Sequence, residues 1–414
     1  MVERVSVRMY EVGFGDCLLV TFRSGDSAKR VLFDCGSLSR RKADVARVAA
    51  DVIATCTDGR GKARLELVVC THRHKDHVSG FDDAAWSTVE VGEVWMPWTE
   101  DPDDPRATRI RNRQSSFAAA LYEALAPGLG RDATPLAEAR AARKQATIAL
   151  ALNALTNEKA MGTLHSGFAG KPPRRFLPAA DAAFQTLELA GLPGVRFHVL
   201  GPSRDEDVIK DMDPPAGKAY LTRVAARRTD EERDGAFSPR WRVTDDAFRA
   251  GRPDTTFGAD DRKDVDDLAD QPDGDMAAVL DSAVNNTSLM MMIEVGNQFL
   301  LFPGDAQWGT WDAILRRPEG RALLARTTAL KVSHHGSHNG TPRSFVDEVI
   351  GGGVVALLST GTVKMWPGIP RRPLVEALGA RTVLVRSDED QSAEGKTGFT
   401  VRAGFHIEWE TAVG

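Results

Sequence analysis

Two hydrophobic patterns divide the chain into strand-rich and helical segments. In the first third, RVSVRMYEV alternates between polar and apolar residues, whereas DCLLVTF and ARLELVVCTH are largely continuous apolar runs. Alternation predicts a strand with one buried face, and a continuous apolar run predicts a strand buried on both faces. Between these strands, residues 40 to 56 show the spacing of a helix.

The last third of the chain repeats the strand pattern. TSLMMMIEV and FLLF flank the turn at residues 295 to 298, which predicts two strands joined as a hairpin. LKVS, VVALLS, TVLVRS and GFTVRAGFHIEWE predict further strands. Two strand-rich halves with helices outside them predict an α/β (α+β) fold.

The middle of the chain has a different composition. Residues 100 to 190 contain Ala-rich amphipathic segments, which predict helices. Residues 203 to 280 are polar, rich in aspartate and turn residues, and poor in large apolar side chains. We interpret the first segment as a helical insertion and the second as an acidic surface insertion.

Net charge, apolar runs and cysteine spacing limit the partners and the cellular location that we expect. The 414-residue chain has a net charge of −5, which is too small to draw it as a whole to nucleic acid or anionic lipid. Neither a signal peptide nor an apolar run of about 18 residues is present, so we expect a cytoplasmic protein without a membrane segment. The four cysteines lack CxxC spacing and are expected to be reduced, buried thiols, with a Cys35–Cys70 bridge as the minor alternative.

The stretch VVCTHRHKDHVSG concentrates ligand-type side chains at the end of a predicted strand. Three of the nine histidines and one aspartate fall within six positions: His72, His74, Asp76 and His77. Buried as packing groups, they would need many hydrogen-bond partners or would carry charge. Imidazole with carboxylate suits zinc, and also manganese or iron, so the stretch predicts a metal site. If the strand continues, His72, His74 and Asp76 share one face.

Two later strand ends carry matching groups. Asp305 follows FLLFPG, and His334 and His335 follow LKVS, with His338 close by. Four ligands so close in sequence rarely face one ion, but they serve two ions if distant residues complete each shell. The remaining histidines are isolated and are interpreted as structural residues: His165, His198 and His406.

The motif His72-x-His74-x-Asp76-His77 after an apolar strand resembles the signature of the metallo-β-lactamase superfamily. Six blocks, in order, resemble its ComEC-type competence branch: VGFGDCLLV, LFDCGS, NNTSLMMMIEV, FLLFPGDA, LKVSHHGS and ALLSTG. The resemblance implies an αββα sandwich formed by a single domain over residues 1 to 414. The insertions at 100 to 190 and 203 to 280 then lie within that domain.

The resemblance also implies a centre with two divalent metal ions, zinc or alternatively manganese. One pair of motif residues holds the first ion, a second pair holds the other, and an aspartate bridges both: His72 with His74, Asp76 with His77, and Asp305. Either His334 or His335 completes the second site. We favour His335, because it directly precedes Gly336 as the ligand precedes glycine in other members.

The chain departs from the family pattern in two places. Many members carry a further histidine between the first motif and the bridging aspartate, and neither His165 nor His198 has the expected setting. The first ion then keeps two histidines, Asp305 and an open position. Relatives of this branch also carry a His-Pro pair after the STG strand, where this chain reads WPGIP, residues 366 to 370.

The resemblance implies a metal-dependent hydrolase that uses a metal-activated water, and the ComEC-type branch favours a phosphodiester substrate, in DNA, RNA or a smaller molecule. Asp76 and Asp305 are the predicted catalytic residues. Asn286, Ser288 and Ser337 are candidates for substrate contacts, with turn and strand-end hydrogen bonding as the alternative.

Basic side chains in the helical segment are candidates for a phosphate-binding groove: Arg106, Arg109, Arg111, Arg113, Arg140, Arg143, Lys144, Lys171, Arg174 and Arg175. A solvated helix face is the alternative interpretation. Two other functions stay open, a hydrolase of a small ester, lactone or thioester, and a catalytically poor binding or sensor protein on the same fold.

Overall fold

The structure is a computed structural model that describes residues 1–125, 157–179, 184–215, 217–220, 284–363, 366 and 368–414, with the side chains of residues 117–125 left aside. Much of the predicted helical segment and most of the polar segment lie outside the described residues. Residues 1–116, 153–222 and 282–414 form one compact unit, and residues 117–152 and 223–281 are assigned to a second. The division into one domain with two insertions stays a prediction.

The first sheet has eight strands and combines antiparallel with parallel pairing. Its strands are β1 (Arg4–Tyr10), β2 (Leu18–Ser24), β3 (Ser27–Phe33), β4 (Arg64–Val69), β5 (Glu90–Pro97), β6 (Arg174–Leu177), β14 (Phe399–Arg402) and β15 (His406–Ala412). Their order is β14-β15-β1-β2-β3-β4-β5-β6. The strands from β14 to β3 pair antiparallel, and those from β3 to β6 pair parallel.

The second sheet has seven strands. They are β7 (Gln185–Glu188), β8 (Val195–Gly201), β9 (Met290–Val295), β10 (Gln298–Phe302), β11 (Ala329–Lys331), β12 (Val355–Leu358) and β13 (Val383–Arg386), in the order β13-β12-β11-β10-β9-β8-β7. The strands from β10 to β13 pair parallel. Strands β9 and β10 form the predicted hairpin, with Gly296 at φ 53° in its turn, so that prediction is confirmed.

Helices lie between the strands. They are α1 (Lys42–Cys56), α2 (Lys75–Val78), α3 (Pro105–Leu125), α4 (Glu158–Gly162), α5 (Glu206–Lys210), α6 (Trp308–Leu315), α7 (Pro318–Leu324) and α8 (Arg372–Arg381). The helices predicted at residues 40 to 56 and from 106 onward are confirmed in α1 and α3. Within the described part of the chain, no helix combines the length and apolar character needed to cross a membrane.

Alternate residues of the strands face two different apolar cores. Val7 of β1 and Met291 of β9 belong to a core shared by the two sheets. On its other face the first sheet buries residues against Val52 of α1, and the second sheet buries Met292 against Trp311 of α6. Because both faces of the central strands are covered, β9 and β10 are mainly apolar, whereas β1 keeps its alternation with Arg4, Ser6 and Arg8. The mixed α/β fold with two large sheets is therefore confirmed.

The four cysteines lie in this apolar interior. All are buried and none forms a disulfide. The prediction of buried thiols is confirmed, and the alternative Cys35–Cys70 bridge is not formed.

The carboxyl ends of four parallel strands meet at one edge of the unit. Strands β3 and β4 are parallel neighbours in the first sheet, and β10 and β11 are parallel neighbours in the second. Phe33 at the end of β3 stacks on Phe302 at the end of β10, with ring centroids 4.2 Å apart. The loops that leave these four strands are therefore brought together, as is usual for binding sites in α/β proteins.

A close backbone approach fixes the loop that follows β4. The Asp16 amide donates to the Asp76 carbonyl at 2.9 Å, and the Cys35 amide donates to the His77 carbonyl at 2.8 Å. A Cβ atom on Gly36 would lie 2.6 Å from backbone atoms of Asp76 and His77. Only glycine therefore allows this contact.

We predict that Gly36→Ala destabilises the protein by about 1–3 kcal/mol, because the added methyl group must push the backbone of α2 away. The matched control is Gly379→Ala in α8, where no atom lies within 4 Å of the added Cβ. That change should be neutral or stabilising by up to about 1 kcal/mol. Urea unfolding of both variants measures the difference, and equal stabilities would contradict the close approach.

Candidate metal centre

The HRHKDH stretch reaches the site through a loop and a helical turn. Strand β4 ends at Val69, and Asp76 and His77 lie in α2. The expectation that His72, His74 and Asp76 share one face of a continuing strand is therefore wrong. The backbone carbonyls of Asp76 and His77 instead accept from the amides of Asp16 and Cys35, in the loops after β1 and β3.

Four of the predicted ligands converge in a buried cluster. Asp76, His77, Asp305 and His335 each contribute one atom, and these atoms lie within 4.8 Å of one another. Nε2 of His335 lies 3.3 Å from Asp76 Oδ2 and 3.2 Å from Asp305 Oδ2. Nε2 of His77 also lies 3.2 Å from Asp305 Oδ2. The side chain of Asp305 thus faces both histidines.

Each of the two histidines of the cluster is held by a hydrogen bond from its Nδ1 atom. His77 Nδ1 donates to Asp34 Oδ2 at 2.8 Å, and His335 Nδ1 donates to the Ser359 carbonyl at 3.0 Å. Each Nε2 atom therefore points into the cluster. A hydrogen bond from the outer ring nitrogen to a carboxylate or carbonyl is typical of metal-binding histidines.

Two buried atoms of the cluster lack a well-aligned hydrogen bond in the described part of the protein: Asp76 Oδ1, and His335 Nε2 despite its short distances to the two carboxylates. Leaving buried polar atoms unsatisfied is costly, so such atoms call for an explanation. A divalent cation bound between the two carboxylates and the two imidazoles would satisfy both. The donor set of the cluster therefore fits a metal ion.

His72 and His74 lie beside this cluster. The rings of His72 and His77 have centroids 4.1 Å apart. His72 Nδ1 contacts Thr71 Oγ1 at 3.1 Å and Ser288 Oγ at 3.2 Å, and its Nε2 lies 3.1 Å from Nδ1 of His74. The two histidines predicted to bind the first ion therefore each direct a ring nitrogen toward the other.

The structure separates the two histidines of the HHGS block. His335 belongs to the cluster, whereas His334 contacts Asn285 Nδ2 through Nε2 at 3.1 Å and Asn339 Oδ1 through Nδ1 at 3.0 Å. Burial lowers the pKa of His334 to about 4, so its ring is neutral at pH 7. Both residues adopt positive φ angles, 49° and 50°. Strained conformations of this kind cluster at functional sites.

Asp16, Asp34 and Lys331 surround the cluster, and none was a sequence candidate. Lys331 Nζ lies 2.5 Å from Asp16 Oδ2 and 3.0 Å from Asp305 Oδ1. Asp34 accepts from His77 and from both the amide and the hydroxyl of Thr71. The available signal was a charged residue within an apolar run, in the FGDC, LFDC and LKVS blocks.

The three predicted substrate contacts are buried. Asn286 donates to the carbonyls of Val208 and Ile209 and accepts from the Gln307 amide. Ser288 Oγ accepts from the Asp305 amide at 3.0 Å, which supports the predicted bridging residue. The side chain of Ser337 is also buried. Contacts of these residues with a substrate stay predictions, and the hydrogen bonds observed for the first two are structural.

The isolated histidines make local contacts away from the cluster. His165 contacts Arg174 at 2.9 Å, His198 contacts Glu294 at 2.7 Å, and His406 packs edge-on against Tyr10. These contacts agree with the structural roles predicted for the three histidines.

Several candidate phosphate-binding residues are engaged in local pairs. Arg109 binds Glu206 and Arg175 binds Glu93, both at 2.6 Å. Arg111 donates to the Asp101 carbonyl at 3.1 Å, and Arg106 lies over the ring of Trp98. These contacts favour the alternative of a solvated, internally paired surface. Three further candidates lie outside the described residues: Arg140, Arg143 and Lys144.

No protein-family model matches the chain, and no curated protein matches it at a significant level.

Stability should depend on pH through the histidines of the cluster. Burial lowers the pKa of His335, but the carboxylates of Asp305 and Asp16 outweigh it and raise that pKa to about 9. A raised pKa in the folded state stabilises the metal-free protein fully below the unfolded value of about 6.5, and this contribution is lost as the pH rises through about 9.

We therefore predict that the melting temperature of the chelator-treated protein falls by about 5 °C or more between pH 6.5 and 9. Differential scanning calorimetry measures it, with His335→Gln as the control whose melting temperature should fall less. With saturating zinc the fall should disappear, because the ion replaces the protons. An equal fall in the control would contradict the role of His335.

Proposed function

We propose that the chain is a metal-dependent hydrolase with two divalent ions on a metallo-β-lactamase-type αββα sandwich. The observation that carries the proposal is the buried cluster in which Nε2 of His77 and His335 face the carboxylates of Asp76 and Asp305. Histidines and aspartates with purely structural roles do not have to direct several ligand atoms toward one position. A metal site requires this, because the lone pairs of its ligands must converge on the ion.

The architecture supports the proposed fold. The two mixed sheets share one apolar core, and each packs residues of helices such as α1 and α6 on its other face. The candidate ligands follow strands β4, β10 and β11 in the order that the resemblance implies.

The donor atoms divide into two groups. Asp76, His77 and His335 surround one position, and His72 and His74 flank a neighbouring one. Asp305 is the proposed bridge. Nitrogen donors combined with carboxylates suit zinc, with manganese as the alternative ion.

Ions bound here would acidify a water molecule toward neutral pH and offset the negative charge that develops during attack. The residues supply the geometry. Lys331 holds Asp305 through Oδ1, so Oδ2 faces the two histidines. Asp76, a proposed ligand of the second ion, is also the residue proposed to orient the attacking water.

A phosphodiester is the proposed substrate class, in nucleic acid or a smaller molecule, and it follows from the family resemblance. An ester, lactone or thioester is the competing class. The burial of the centre supports a third candidate, a binding protein with a structural metal: none of the six proposed ligands is more than 4 % exposed, His72, His74, Asp76, His77, Asp305 and His335. The cytoplasmic location stays a prediction.

The test is metal-dependent hydrolysis by the purified protein. A panel of bis(p-nitrophenyl) phosphate, p-nitrophenyl acetate, a lactone and single-stranded DNA separates the substrate classes. Asp76→Ala and Asp305→Ala should each reduce the activity about 100-fold or more, because each removes a ligand. His198→Gln, outside the cluster, is the matched control. Activity unchanged in both aspartate variants would overturn the assignment.

A further inference from the structure

We propose that the side-chain oxygen of Asn285 is the third protein ligand of the first metal site. Many members of the metallo-β-lactamase superfamily, which the sequence resembles, have a histidine in this role. The inference rests on the proposed function, because it assumes that His72 and His74 bind an ion. It supplies the ligand that the sequence lacks between the first motif and Asp305, and it gives His334 a function.

Three donor atoms lie next to one another. His72 Nε2 is 3.1 Å from His74 Nδ1, and His74 Nδ1 is 2.7 Å from Asn285 Oδ1. All three side chains are buried. Ligand atoms about 2.0–2.1 Å from one tetrahedral ion lie roughly 3.3 Å apart, so a small movement suffices to place all three around an ion.

Hydrogen bonds fix which end of the Asn285 amide faces the histidines. Asn339 Nδ2 lies 3.5 Å from the Asp213 carboxylate, which only accepts, so Oδ1 of Asn339 faces the other way. That oxygen accepts from His334 Nδ1, which leaves His334 Nε2 as an acceptor. Nε2 in turn accepts from Asn285 Nδ2, and Oδ1 of Asn285 is directed at His74.

The same contacts explain why two consecutive histidines follow β11. The positive φ angles of His334 and His335 turn their rings to different partners. His335 faces Asp76 and Asp305, and His334 holds Asn285. His334 is thus a positioning residue, which acts on the ion through Asn285.

A neutral amide oxygen changes the preference of the site. Compared with imidazole, carbonyl oxygen favours harder ions such as manganese over zinc. We therefore infer that the first site binds zinc more weakly than the second site and tolerates manganese better.

The test is metal binding by the full chain, without reference to activity. Equilibrium dialysis against ZnCl₂ and MnCl₂, with elemental analysis, measures stoichiometry and affinity, and Co²⁺ absorption reports the donor set. We expect two ions per wild-type chain. Asn285→Ala should weaken binding of one ion about 10- to 100-fold and leave the other unchanged. His334→Ala should have the same direction of effect, because it frees the amide to rotate.

A second variant distinguishes the loss of a ligand from misfolding of the Asn285→Ala protein. Asn285→His supplies an imidazole, so it should strengthen zinc binding at the weaker site and shift its preference from manganese to zinc, a gain that unfolding cannot produce. Asp76→Ala, which removes a ligand of the other site, is the matched control.

The outcomes separate the two proposals. No metal bound by the wild-type chain would overturn both. One or two ions bound by the wild type, with unchanged affinities in Asn285→Ala and Asn285→His, would overturn the role of Asn285 alone and leave the hydrolase proposal standing.

Discussion

The burial of negative charge is the constraint on which this part of the molecule depends. Asp16, Asp34, Asp76 and Asp305 are each 4 % exposed or less, and a carboxylate oxygen of each lies within 4 Å of a ring nitrogen of His77. Buried carboxylates are very costly unless they are paired. Lys331 pairs with Asp16 and Asp305, and the histidines and any bound cation offset the remaining negative charge. The folded structure at this edge of the sheets is therefore stable only if positive charge is present there, as protons or as metal ions.

The same constraint accounts for the strained backbone around the centre. Asp34, His334 and His335 all have positive φ angles, a conformation that costs about 1–3 kcal/mol per residue. Each is held by side-chain contacts: Asp34 by His77 and Thr71, His334 by Asn285 and Asn339, and His335 by the Ser359 carbonyl. The rigid strands on either side thus place the donor atoms before a ligand arrives, which is the condition for a preorganised site.

Sequence reasoning succeeded where the signal was dense and local. The strands, the hairpin at 295 to 298 and the convergence of His77 with Asp305 follow from apolar runs that end in ligand-type residues. It failed for Asp34, Lys331 and Asn285, because a single polar residue beside a strand has many ordinary explanations. Their partners lie far away along the chain: Asp34 meets His77, and Asn285 meets His74. Only the folded chain brings these pairs together.

The predicted phosphate groove shows the opposite error. The sequence alone suggests that these arginines are free to bind phosphate, but Arg109 of α3 pairs with Glu206 and Arg175 of β6 pairs with Glu93, about a hundred and about eighty residues away. A charge pattern along one segment cannot reveal acids contributed by another. Such exposed pairs contribute about 0–1 kcal/mol each, so a polyanion could still displace them at little cost.

Aromatic and polar side chains contact different ligands of the proposed centre. On one side Phe14 packs on the ring of His335 with centroids 4.4 Å apart, and Trp366 packs on Phe14 at 5.1 Å. On the other side Asn285, His334 and Asn339 form a polar chain beside His74. A charged group forced against the aromatic pair would lose its hydration without gaining hydrogen bonds, which costs several kcal/mol. Under the proposed hydrolase function, a charged scissile group is therefore expected to bind beside the polar chain and not against the aromatic pair.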